Sequence, residues 1–212
     1  MERHLEQLCN ENPLLLTTIQ NAIFSGYERS RDFVRQCGGN SISDFRVGYV
    51  RHASIEPLIF RAVEEAGFPG VTPLCRNNNG RTAKHLEIQT PWLVLMFAKV
   101  SSFKKTPPKV GYRQKPLDQF YAQQVMPGIF PIDSIQLPLY IVTHMPSRQK
   151  DSAFPAILCI GRPSVDQRSW DCCYSFNDLN LENRTIETIT AKESVALKEE
   201  IVKTASLSLK KA

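Results

Sequence analysis

Long apolar runs, paired cysteines and glycine-rich catalytic motifs are all missing from this chain, and each absence removes a class of protein. No stretch approaches the roughly 18 apolar residues that a membrane-spanning helix needs. The longest candidate, Trp92 to Ala98, has the length of a strand. The opening Met1-Glu2-Arg3-His4 lacks the basic start, apolar stretch and small-residue cleavage site of a secretory signal. The Asn183-Arg184-Thr185 sequon therefore carries no meaning. The six cysteines, at 9, 37, 75, 159, 172 and 173, include no Cys-x-x-Cys pair, the closely spaced pairing that a thiolate zinc site or disulfide framework uses. Buried reduced thiols and a cytoplasmic location are the expectation. Cys172 and Cys173 are adjacent, so on a strand they point to opposite faces and do not share one metal.

Catalytic motifs are equally scarce. The chain has no Gly-x-x-x-x-Gly-Lys phosphate loop, no Gly-x-Gly-x-x-Gly fingerprint, no Gly-x-Ser-x-Gly elbow and no His-Glu-x-x-His helix. With ten glycines, mostly at turns, and four histidines far apart, no nucleophile is nominated and no cofactor is implied. A non-catalytic protein follows more naturally than an enzyme.

What is present reads as one α+β domain over residues 1–212. At 42% hydrophobic and 22% charged residues, a chain of 212 can bury a real core. The first 70 residues are helical in pattern. Asn12-Pro13 reads as an N-cap with proline at the first helical position. Leu15, Ile19, Ile23 and Tyr27 then recur every four residues, extended by Phe33 and Val34, until Gly38-Gly39-Asn40 stops the helix. A second helical stretch runs from about Ser43, restarts at Ser54 and ends at Gly67.

From residue 71 to 176 the period changes to that of strands. Val71 to Cys75, His85 to Gln89, Trp92 to Val100, Leu139 to Thr143, Ala156 to Ile160 and Trp170 to Phe176 are strand candidates. The prolines at 138, 146, 155 and 163 bracket the last three. A short helix opens at Pro116 and runs to Val125. A charged C-terminal helix over 191–212 carries Val195, Val202 and Leu209 at seven-residue spacing, and either lies on its own sheet or serves a homodimer. Helices first and strands after predict N-terminal helices packed on a mostly antiparallel sheet of five to six strands.

Charge is unevenly spread. Between Arg76 and Lys115 there are nine cations (Arg76, Arg81, Lys84, Lys99, Lys104, Lys105, Lys109, Arg113 and Lys115) against one acid, Glu87. That is a net +8 in forty residues of a chain whose total is +5, so the remainder nets −3. Phe103 and Tyr112 interleave the second half. Such a segment can follow a phosphate backbone and offer rings for stacking, or pair with an acidic protein, or merely keep a loop solvated.

Two residues within it bear on chemistry. His85 and Glu87 share one face of a strand, roughly 7 Å apart at Cα, where a base and its orienter or two metal ligands belong. A solvent-facing polar stripe is the plainer reading. His144, at a strand end, is the natural third member. A restriction-type nuclease core would need an upstream acid and a Glu-x-Lys pair, but position 89 is Gln and no acid lies between Glu65 and Glu87. A metal-dependent hydrolase or nuclease using His85 and Glu87 is therefore the second expectation, after a binding module.

Five short pieces carry a resemblance. They are Arg81-Thr-Ala-Lys-His-Leu-Glu-Ile, the strand ending Phe97-Ala-Lys-Val100, Arg113-Gln-Lys-Pro-Leu-Asp-Gln-Phe, Leu139-Tyr-Ile-Val-Thr-His144 and Ile160-Gly-Arg-Pro163. Their order resembles that in uncharacterised bacterial proteins of toxin–antitoxin or defence gene clusters. The resemblance covers under half of the chain and implies a small regulatory or neutralising protein that works by binding. The basic segment points to an acidic protein or nucleic acid as its partner, and the lack of a long apolar run to no membrane.

Overall fold

The computed structural model describes residues 1–37, 44–77, 84–102, 105–125, 136–149 and 152–179. The proposed C-terminal helix and its use in a homodimer lie outside the described residues.

Three helices come first: α1 (Arg3–Glu11), α2 (Pro13–Gln36) and α3 (Asp44–Ala66). The four-residue spacing of α2 does what its period predicts, since Leu15, Ile19, Ile23, Tyr27 and Val34 are all buried. Asn12 ends α1 and begins α2 at once: its N–H bonds the Leu8 carbonyl and its carbonyl accepts from Leu15, while its side chain makes no cap bond. Gly26 lets α2 and α3 approach closely. A Cβ there would lie 2.5 Å from Ile55 Cγ1, so a larger residue would force the two helices apart.

The expected restart at Ser54 is corrected by the structure. One helix runs through both Ser54 and Pro57. Ser54 Oγ donates to the Val50 carbonyl at 2.8 Å, bonding back within the turn instead of capping a new one. The apolar row Val47, Ile55, Ile59 and Val63 is buried on either side of Pro57, and that burial outweighs the hydrogen bond that proline removes. Gly67, at φ +60°, supplies the left-handed residue that closes α3.

Six strands then form one sheet: β1 (Thr72–Asn77), β2 (Lys84–Gln89), β3 (Val94–Lys99), β4 (Leu139–Pro146), β5 (Pro155–Pro163) and β6 (Trp170–Ser175). They lie in sequence order, and every neighbouring pair is antiparallel except β3 and β4. The class is α+β, as the pattern predicts. The parallel pair requires a crossover rather than a hairpin, and α4 (Gly111–Val125) lies in that connection. This helix begins five residues before the expected Pro116. Pro116 sits inside it, and packing of Leu117, Tyr112 and Tyr121 on the sheet holds the turn around it.

The sheet has a helix layer on each face. Glu87 pairs with Met96 and Met96 with Ile141, so alternation places His85, Glu87, Val94, Met96, Leu139 and Ile141 on one face. There α4 covers Val94, Met96 and Leu139. The opposite face, with Leu86, Ile88, Leu95, Tyr140, Val142 and His144, meets the N-terminal helices: α3 packs on β1 and β2, and Tyr27 of α2 reaches His144. Gly161 of β5 is required by close approach, because a Cβ would lie 2.7 Å from the Cys172 carbonyl oxygen and 2.9 Å from the Trp170 ring. Among the described residues no helix is long and apolar enough to cross a membrane.

Candidate functional site: a basic cleft at one end of the sheet

His85 and Glu87 do meet. His85 Nε2 lies 2.8 Å from Glu87 Oε1, and Glu87 Oε2 lies 3.5 Å from Arg76 Nε. The pair is enclosed rather than solvent-facing, which corrects the polar-stripe reading. His85 is 7% exposed, and the Tyr112 ring stacks on it at a centroid distance of 4.1 Å and an angle of 19°. Alternation predicts which residues share a face, but it cannot say whether a helix covers that face.

His144 does not join them. It lies on the other face of the sheet, where the buried Tyr27 hydroxyl sits 2.9 Å from its Nδ1. Burial pushes the Tyr27 phenol well above its ordinary value, so Tyr27 keeps its proton. Among the described residues no group of three His, Cys, Asp or Glu is placed to hold a metal ion.

The basic segment is divided by the fold. Arg81 and Lys104 lie outside the described residues. Lys84 and Lys99 are exposed at the same end of the sheet, and alternation puts both on the α3 side. Lys105, Lys109 and Lys115 are exposed on the loop and helix of the crossover; the Asp166 carboxyl is held below its usual range by the Ser164 hydroxyl and the Arg168 N–H, with Lys109 adding a small share. Arg113 is not a surface cation. It is 4% exposed, with its guanidinium 5.4 Å from the Tyr112 ring centroid, because α4 starts early enough to turn its first residues inward.

The concentration of charge that matters is built from residues far apart in sequence. The carboxyl ends of β3 and β4 open into a cleft of about 560 Å³. Val47, Gly48 and Arg51 of α3 form one wall; Lys99 to Ser101 and Met145 to Arg148 form the other. The described lining contains three cations, Arg51, Lys99 and Arg148, and no carboxylate. Lys99 and Arg148 stand exposed at the rim, and Arg51 is deep, at 4% exposure. Lys99 extends over Gly48, where a Cβ would lie 3.4 Å from its Nζ. The Arg51 guanidinium lies 4.4 Å from the Tyr27 ring centroid, a cation–π contact of the desolvated kind. Burial works against its charge, pulling the group down from its ordinary value, and Tyr27 offsets part of that.

Only Lys99 of these three belongs to the segment that linear charge density singles out. Arg51 and Arg148 were not foreseen from the sequence. The signal for them is topological: two continuous apolar strands flanking a helix form a parallel crossover unit, and the chain leaves both strands at the same end of the sheet.

At the opposite end of the sheet a second cation has two acidic neighbours. Arg162 Nη2 lies 2.9 Å from Glu2 Oε1 and 3.5 Å from Asp171 Oδ2. Tyr140 donates to Glu2 and Tyr121 to Asp171. The Phe120 and Tyr121 rings flank the guanidinium at 5.6 and 6.0 Å. A further groove of about 450 Å³, between α2 and β5, is lined by Phe24, Phe154, Ile157 and Phe176 and has no charged residue in its described lining.

No protein-family model, curated protein or solved structure matches this chain.

Proposed function

We propose that this protein is a non-catalytic binding module that holds nucleic acid against the basic end of its sheet. The observation that carries this reading is the cleft whose described lining brings together Arg51, Lys99 and Arg148 without a carboxylate. Lys84, exposed at the same sheet end, extends the positive field beyond the cleft. Clefts of one sign concentrate counter-charged ligands and speed their arrival. Phosphate contacts supply the sequence-independent share of nucleic-acid affinity. A regulator of the antitoxin or defence kind is the setting that the sequence resemblance gives to this activity.

The experiment is a salt series of binding to short single- and double-stranded DNA and RNA, for the parent and for the double variant Lys99→Glu, Arg148→Glu. Both side chains are exposed, so the fold is expected to survive. The parent is expected to show a steep fall of log affinity with log salt. The variant should lose about one unit of slope for each phosphate contact removed. Absence of binding at low salt, or a slope the variant leaves unchanged, would overturn the reading. Capture of an acidic protein through the same two residues, with no nucleic-acid binding, would replace it.

A further inference from the structure

The cleft is shaped for more than a passing phosphodiester. We infer that it takes a nucleotide phosphomonoester, the phosphorylated end of a strand or a free mononucleotide, with the phosphate on Arg51, Lys99 and Arg148 and the nucleoside along the apolar wall. This rests in part on the reading of the basic sheet end as a nucleic-acid surface.

Depth is the first argument. Arg51 lies at the back of the cleft at 4% exposure, while Lys99 and Arg148 stand at the rim. A diester within a strand carries a sugar on each side, so it cannot reach a buried guanidinium without drawing both neighbours in. A terminal monoester has three unencumbered oxygens and enters end-on. Charge is the second. A phosphomonoester, with its second pKa near about 6, carries close to two negative charges at neutral pH, against one for a diester. Three cations lining one cleft match the former better.

Size and wall chemistry complete the case. The volume of about 560 Å³ falls inside the roughly 300–1,000 Å³ range of small-molecule sites. It leaves ample room beside a single phosphate for a sugar and base. The remaining walls supply what a nucleoside needs: Val47, Val100 and Met145 offer apolar contact, and the Ser101 and Ser147 hydroxyls offer neutral hydrogen bonds.

The test is fluorescence anisotropy with one labelled oligonucleotide in 5′-phosphorylated, 3′-phosphorylated and unphosphorylated forms, together with competition by adenosine monophosphate and by adenosine. One phosphorylated form is expected to bind at least about tenfold tighter than the unphosphorylated strand, the worth of one more charge-assisted hydrogen bond. Lys99→Ala and Arg148→Ala, both at exposed positions, should erase that preference. Arg51→Met should do the same if it folds. Competition by adenosine monophosphate but not adenosine, without strand binding, would identify free nucleotide as the source: the inference would stand while the nucleic-acid reading fell. Equal affinity for all three strands, still weakened by the rim variants, would overturn the inference and leave the nucleic-acid reading in place. No binding of any probe would overturn both.

Discussion

The two ends of the sheet treat arginine in opposite ways. Arg162 is held between Glu2 and Asp171 and flanked by aromatic rings. Burial works against its charge, but Glu2 and the Tyr121 and Tyr140 phenols more than offset it, and its affinity for the proton is raised. At the other end Arg51 rests on an aromatic ring in a cleft whose described lining supplies two more cations and no acid, and burial lowers its affinity for the proton. One end is an internally neutralised joint that stabilises the fold. The other gathers three cations in its described lining, and the proposed anion binding rests on them. Residue type, and even local burial, does not separate the two ends; the sign of the described neighbours does.

The largest effect is expected from breaking the neutral end. Arg162→Ala leaves two partly buried carboxylates facing each other without a cation, which should cost about 2–3 kcal/mol of stability, somewhat below the loss for a fully buried pair. Urea denaturation measures this. A loss under about 0.5 kcal/mol would show that the joint contributes no more than a surface ion pair.

Copying the neutral arrangement into the cleft should have the reverse consequence. Ser147→Asp places a carboxylate among Arg51, Lys99 and Arg148, so anion binding should fall about tenfold while stability rises by up to about 1 kcal/mol. Parallel anisotropy and melting measurements would detect the opposed signs, and unchanged binding would show that the cleft cations do not act on the ligand.

The smallest effect lies in the alkaline limb. Burial and the Glu2 and Asp171 partners hold the Tyr140 and Tyr121 phenols above their ordinary value of 10.0, and burial pushes the Cys172 thiol up to about 11. The folded state therefore keeps protons that the unfolded chain releases near pH 9 and 10. The stability these groups contribute is complete below pH 9 and is lost as pH rises beyond it. Tm should fall from about pH 9 upward, and Tyr140→Phe should flatten that fall by one proton's share. Equal slopes in the two proteins would remove Tyr140 from the neutral joint.

Most of the strand set was legible because burial imposes alternation and continuous apolar runs, and these survive in the sequence. Trp92 to Val100 reads as a strand covered on both faces, and β3 is one. The helices were less legible at two internal positions. Ser54 and Pro116 read as starts of helices that in fact run through them, because tertiary packing outweighs the local cost of the prolines at 57 and 116. The candidate site was legible only through Lys99. Linear charge density joined residues that strand alternation and the crossover send to different sides. The residues that do converge come from α3, β3 and the chain after β4, and only the parallel pairing of β3 with β4 brings them together.

The contact of Glu2 with Tyr140 spans 138 residues, and Arg162 and Asp171 lie further still along the chain. During synthesis Glu2, the residue ahead of α1, therefore waits for β4 and β5 before Tyr140 and Arg162 can meet it. Long-range closures of this kind slow folding, and they place the docking of the amino-terminal end among the last events rather than the first. A fusion partner at that end would be felt at the final step of assembly, in the yield of finished molecules more than in their affinity.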